Sequence, residues 1–290
     1  MRPPRLRLFL LSAAAALLVA CTGKQSQQTN TTDTFTAKVT ATDLSNQRVT
    51  AFVEDAQGFM WIGTFRGLNC WNTHKFHQYY CTDREGDLPD NQINSLFCDS
   101  RQRLWVATIW GVAARNERDK FTLAPIDNGR YYCRQVIEST DGNIYAISNS
   151  HLALLDEKSF QFSTVNSSSM SRQALADRDY QYAFADLNGD LWLCDKKGRI
   201  DILGGKDYSL KLTINLNAAA LSFCHDTDQS RLYVGTATGL RAVDVAQRRE
   251  ADLPTTLQGN SNVAQGYITV IHKHMGNLLI CSSVVLYQYN

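Results

Sequence analysis

The stretch from Val49 to Trp71, VTAFVEDAQGFMWIGTFRGLNCW, returns 44 residues later as INSLFCDSRQRLWVATIWGVAAR, and weaker copies follow. A chain that repeats at this period is an array of equivalent units, and no unit of such an array buries its apolar surface alone. Aligned on the large residue after the turn, the copies give Trp61, Trp105, Tyr145, Trp192, Tyr233 and Leu279, which predicts six units of about 44 residues.

Each unit reads as short strands. In the first copy Thr50 to Glu54 alternates, Asp55-Ala56-Gln57-Gly58 is turn chemistry and Met60 to Thr64 is a second strand. Leu68 to Trp71 and Lys75 to Tyr80 supply a third and a fourth. Connections this short force an antiparallel meander. One such sheet leaves two apolar faces, and radial stacking covers them while keeping the edges short, so the predicted fold is an all-β propeller of about six four-stranded antiparallel blades over residues 35–290. The anchor aromatics are assigned to the wedge between blades. The next positions, Gly63-Thr64, Ala107-Thr108, Ile147-Ser148, Cys194-Asp195, Gly235-Thr236 and Cys281-Ser282, are small or modest and then mostly hydroxylated, as converging strands require. In the sixth copy three strands are readable. Either Phe35 to Thr40 supplies its outer strand and closes a six-bladed ring, or the ring is an incomplete seven-bladed one with an apolar face left open.

The first twenty residues carry Arg2, Arg5 and Arg7 and then the apolar run Leu8 to Ala20, the layout of a signal peptide. That run is too short to span a bilayer comfortably. It ends in Leu18-Val19-Ala20-Cys21, which resembles a bacterial lipobox and implies lipidation of Cys21. Residues 21–34 are polar and read as a tether, so the domain is expected on the periplasmic side of the cell envelope, attached to the membrane by lipid. With the signal removed, 26 basic residues face 28 acidic ones, which gives no support to a nucleic-acid partner. Of eight cysteines, seven remain beside Cys21, an odd number without C-x-x-C or Cys/His spacing, so no metal or cofactor site is expected. Asp186-Leu187-Asn188-Gly189-Asp190 starts like a calcium loop, but Lys197 stands where a closing glutamate would be needed, and a hairpin explains the same residues.

Through DAQGFMWIGTFRGLN, DSRQRLWVATIWGVA and DLNGDLWLCDKKG the chain resembles the two-component regulator propeller repeat. The resemblance implies the extracytoplasmic sensor of a hybrid two-component histidine kinase, a carbohydrate fragment as ligand, and a second propeller or a sensor kinase as protein partner. No kinase motif occurs in this sequence, so the expectation is a non-catalytic module, either part of such a sensor or a free-standing lipoprotein. Alternatives are a lipid-anchored scaffold in an envelope complex and a propeller lyase or glycosidase. Loops at one face are the expected binding region. Trp110, Phe65 and Tyr131 offer ring faces for a sugar, and Arg66, Arg130 and Asn149 offer hydrogen-bond donors.

Overall fold

A computed structural model describes residues 38–148, 152–169, 178–274, 276–282 and 285–289. The signal sequence, Cys21 and the tether lie outside the described residues, as does Asn149.

Six antiparallel sheets follow one another along the chain. Strand β1 (Lys38–Ala41) precedes blade one, which is β2 (Val49–Glu54), β3 (Met60–Thr64), β4 (Gly67–Trp71) and β5 (Phe76–Tyr79). Blade two is β6 (Ile93–Cys98), β7 (Leu104–Thr108), β8 (Gly111–Arg115) and β9 (Phe121–Leu123). Blade three is β10 (Cys133–Glu138), β11 (Ile144–Ser148), β12 (Leu152–Asp156) and β13 (Gln161–Thr164), and blade four is β14 (Tyr180–Ala185), β15 (Leu191–Asp195), β16 (Arg199–Leu203) and β17 (Leu210–Asn215). Blade five is β18 (Ala220–Asp226), β19 (Arg231–Thr236), β20 (Gly239–Asp244) and β21 (Arg249–Ala251). Two single-turn helices, α1 (Thr255–Gln258) and α2 (Ser261–Ala264), lead to blade six, β22 (Ile268–His274), β23 (Asn277–Ser282) and β24 (Leu286–Tyr289). The fold is the predicted six-bladed all-β propeller.

The predicted anchors hold the blades together. Trp61, Trp105, Tyr145, Trp192 and Tyr233 are all buried, each in the apolar core between its own blade and the next. A turn clamp fixes three of them. Asp55, Asp99 and Asp186 each accept the indole N–H of the Trp six residues on, at 2.8, 2.9 and 3.0 Å, while the other carboxylate oxygen caps two backbone N–H groups of the hairpin. Asp186 is therefore a hairpin residue, and Asp190 beside it pairs with Lys211 and Arg248. The hairpin needs a left-handed residue three positions before the anchor. Gly58, Gly142, Gly189 and Gly276 supply it, and Gln102 adopts it at φ 64° where the second copy lacks glycine.

The hydroxyls after the anchors close the turns on the opposite face. Thr64, Thr108 and Thr236 donate to the carbonyls of Gly67, Gly111 and Gly239 at 2.7 to 2.8 Å. Close approach also explains the small residue before them, since a Cβ on Gly63 would stand 2.6 Å from Ile93 Cγ2.

Ring closure differs from the six-bladed reading of the sequence. β1 pairs with β5, in the register Lys38 with Tyr79 to Ala41 with Phe76, and so extends the first sheet instead of completing the sixth. The chain between β1 and β2 then crosses the back of blade one. There Ser45 donates its N–H to Asn69 Oδ1 (2.8 Å), and Gln78 Nε2 donates to the Asp43 carbonyl (2.7 Å). Buried Asn69 and Gln78 stand on a face where blade two is apolar, so this blade is matched to its own leader and not to a neighbouring sheet. Blade six keeps three strands, and Leu279 on its front is only partly buried, with Val270 and Leu286 exposed beside it. Among the described residues, five apolar cores join six blades. Blades six and one meet where the ring of Phe52 stands edge-on to His272, with centroids 4.7 Å apart.

Candidate functional site

The innermost strands surround a central channel of about 740 Å³. All six share an irregularity: one residue near the start of each inner strand has no opposite number on the second strand. These residues are Thr50, Asn94, Arg134, Gln181, Leu221 and Thr269. A bulge re-aims side chains and ends strict pairing, and here it recurs six times around one mouth of the channel, the end toward which the Thr64 and Thr108 turns point. We call this the upper mouth.

Four blades line it with side chains of distinct chemistry. Blade one contributes Phe65, whose N–H donates to the Arg48 carbonyl (3.0 Å) and whose ring carries the Arg48 guanidinium at 3.7 Å. Blade two contributes Gln92 and Asn94, and Asn94 also ties its blade to the next by donating to the Cys133 carbonyl at 2.7 Å. Blade three contributes Tyr132 and Arg134, with the guanidinium 5.0 Å from the Tyr132 ring centre. On blade four, Gln181 donates to Asp179 (3.1 Å), whose carboxylate pairs with Lys196 at 2.7 Å and lies 3.9 Å from Arg134. Deeper in, Gln135 bridges blades three and four by exchanging hydrogen bonds with the Ala183 backbone. Tyr182 stacks on Phe223, and Phe184 lies 3.9 Å from His225. Burial holds the His225 imidazole below its ordinary pKa, against the opposing pull of Asp226 and Asp186. Burial likewise pushes the Tyr182 phenol up, so it stays a neutral donor.

The residues expected from sequence divide into two groups. Phe65 lines the channel, and Arg66 next to it is exposed. Trp110 stands free at its turn tip, 57% exposed, with Arg130 and Tyr131 on the adjoining loop; a Cβ on Gly111 would lie 3.9 Å from Arg130 Cγ. None of these three is among the channel-lining residues. Sequence reasoning passed over Arg48, Gln92, Tyr132, Arg134 and Gln181. Their signal is a polar or aromatic side chain at or beside the bulge of an inner strand, visible only once the repeats are aligned on that strand instead of on the tryptophan.

The geometry is that of a six-bladed propeller with a polar and aromatic mouth. Two stretches, residues 43–66 and 87–110, match the family model described as Two component regulator propeller, so blades one and two are built from that repeat. Solved structures share the fold. The extracellular domain assigned to the hybrid two component system BT3049 from B. thetaiotaomicron superposes with a TM-score of 0.69 at 22% identity, over 85% of this chain and 34% of that one. That assigned to the one component system BT4673 from the same organism gives 0.63 at 15% identity, over 83% and 34%. Virginiamycin B lyase from Staphylococcus aureus gives 0.63 at 11% identity, over 87% of both chains. The chain thus spans about a third of the length of the first two. No curated protein matches it in sequence.

Proposed function

We propose that this chain is a non-catalytic, extracytoplasmic ligand-sensing module of a two-component signalling system, and that it recognises a carbohydrate fragment at the upper mouth of its channel. The observation that carries this reading is the convergence of Phe65, Gln92, Tyr132, Arg134 and Gln181 from four blades on one opening. Aromatic faces stack on the apolar side of a sugar ring, and amides and guanidinium groups bond its hydroxyls. The family match on blades one and two and the fold shared with extracellular domains of such systems support the signalling role. The module is held at the periplasmic side of the envelope by lipid on Cys21, and its output passes to a second propeller or a sensor kinase, in the same chain or a partner.

Isothermal titration of the full chain, purified in detergent, against a panel of oligosaccharides tests the site. Phe65→Ala and Tyr132→Ala should each cost about tenfold in affinity, roughly 1.4 kcal/mol. Silence across the panel would remove the carbohydrate reading. Incorporation of an alkyne-tagged fatty acid, lost in Cys21→Ala, tests the anchor.

A further inference from the structure

The indole of Trp110 serves no need of the turn that carries it. Each upper turn uses only the backbone of its tip residue: the N–H groups of Arg66, Trp110 and Thr238 donate to the hydroxyls of Thr64, Thr108 and Thr236 at 3.0 to 3.2 Å. Those hydroxyls in turn donate to the carbonyls of Gly67, Gly111 and Gly239. The same turn therefore forms on an arginine, a tryptophan or a threonine, and blade two is the copy that sets an aromatic ring there, 57% exposed.

Three loops of the rim meet at this turn. The Gln92 carbonyl accepts the Ile109 N–H at 3.3 Å. A Cβ on Gly111 would stand 3.4 Å from Pro89 Cβ and 3.9 Å from Arg130 Cγ, so the turn is packed between residues 89–92 and residues 129–132. On the second of these loops the ring of Tyr131, 39% exposed, lies against Gly129, where a Cβ would come within 2.7 Å of it. The same two loops carry Gln92 and Tyr132 into the channel mouth, so rim and mouth adjoin. The charged residues of the three loops are Arg130 and Asp90, one of each sign, and Asp90 caps the Gln92 N–H at 2.7 Å.

From this layout we infer that Trp110 and Tyr131 form an outer subsite, and that the ligand is an oligosaccharide long enough to leave the channel over blades two and three and lay a further sugar on the rim. The inference rests on the proposed carbohydrate site. An exposed aromatic by itself is ordinary on a protein surface. Here two rings stand on loops that both adjoin the mouth, and one of them occupies a position where the fold asks for no ring. An indole on a turn whose backbone is already fixed covers the apolar face of a sugar at little entropic cost. A short fragment held by Phe65 and Tyr132 stays within the mouth, so affinity rises with chain length.

Titration of the full chain with cello-, xylo- and malto-oligosaccharides of two and six units tests this. In a series that binds, the hexasaccharide should bind about tenfold or more tighter than the disaccharide. Trp110→Ala should remove most of that gain and leave the disaccharide affinity unchanged, Tyr131→Ala should remove a smaller part, and Trp110→Phe should keep most of it. Phe65→Ala and Tyr132→Ala should weaken both lengths. The Thr108 hydrogen bonds use only the backbone at position 110, so Trp110→Ala keeps its turn. Tryptophan fluorescence gives a second readout, because Trp61, Trp105 and Trp192 are buried and acrylamide reaches Trp110 most readily. Bound hexasaccharide should protect against that quenching, and bound disaccharide should not. Equal affinity for the two lengths, a length gain untouched by Trp110→Ala, an equal loss for both lengths in that variant, or unprotected quenching overturns the inference. Disaccharide binding that still depends on Phe65 and Tyr132 would then leave the proposed site standing, whereas silence from all three series would sink both.

Discussion

The open front of blade six can be measured by making one substitution at two equivalent positions of the repeat. Trp105 pairs with Phe97 on its inner strand, and Leu279 pairs with His272 in the same way, so both are anchors by register. Trp105 is fully buried against Phe160 and Phe162 of the next blade, with ring centres 5.6 and 5.7 Å away, and its indole N–H is held by Asp99. Truncation there removes a large apolar side chain and leaves a cavity between two sheets, which costs about 3–5 kcal/mol. For a chain of this size each kcal/mol is worth roughly 2–4 °C, so Trp105→Ala should lower the melting temperature by about 6–20 °C. Among the described residues no seventh sheet stands in front of Leu279, which is partly exposed. Leu279→Ala opens no enclosed cavity and forfeits only part of the roughly 1.5–3 kcal/mol of a fully buried leucine, so the expected loss is about 1 kcal/mol, or less than about 4 °C. Thermal unfolding followed by circular dichroism, a probe that does not depend on the deleted indole, compares the two. A Leu279→Ala loss near 3 kcal/mol would mean that this face is covered in solution and would refute the open ring.

Other consequences are simpler to check. Burial depresses the His225 pKa in the fold, so the protein binds fewer protons there than the unfolded chain does; the associated stability is complete above the ordinary imidazole value of about 6.5 and is lost as pH falls below it. Melting temperatures below pH 6.5 should therefore decline less steeply in His225→Phe than in the native chain. Every described cysteine is a free thiol, and burial pushes Cys98 and Cys224 up to about 11 and Cys133 up to about 12. With Ellman's reagent near pH 8, Cys81 and Cys281, both partly exposed, should react first, and Cys70, Cys133, Cys194 and Cys224 only on unfolding. Gly63→Ala places a methyl 2.6 Å from Ile93 Cγ2 and should cost about 1–3 kcal/mol in denaturant unfolding.

The parts of this fold that sequence discloses are those where one residue type has one local duty. A tryptophan six residues after an aspartate and a glycine three before it define the hairpin and the wedge together, so Asp55, Gly58 and Trp61 announce blade one unaided. Edges are different. The segment before Val49 has the alternation of a strand, but alternation does not say which sheet edge it joins. That choice is made by the short link from Ala41 to Val49 and by Asn69 and Gln78, whose amides need the partners the leader brings. Leu279 likewise reads as core in the repeat, and its exposure depends on a neighbour the alignment cannot supply. At the site, Trp110 drew attention as a large residue on a turn tip. Tyr132 and Arg134 instead precede and occupy a strand bulge, where the extra residue resets the alternation that separates inward from outward side chains.

The same bulges explain why the side chains of the upper mouth can differ from blade to blade without weakening the frame. Along the lower rim the polar side chains are committed to structure: Asp99 is bonded by Arg103 and Trp105, Asp190 by Lys211 and Arg248, and Asp226 by Lys273 from the next blade. Changing any of them leaves a buried charge or turn unsupported. At the upper mouth the backbone duties fall instead on Thr64, Thr108 and Thr236 at the ends of the second strands, which frees the unpaired bulge residue of each inner strand from any role in the turn. That residue is threonine, asparagine, arginine, glutamine, leucine and threonine around the six blades, whereas the turn residue stays a small hydroxyl or an aspartate. Variation at the bulge positions costs the fold little, because no second-strand residue is paired with them. A ligand preference written there can change without disturbing the five cores that hold the blades.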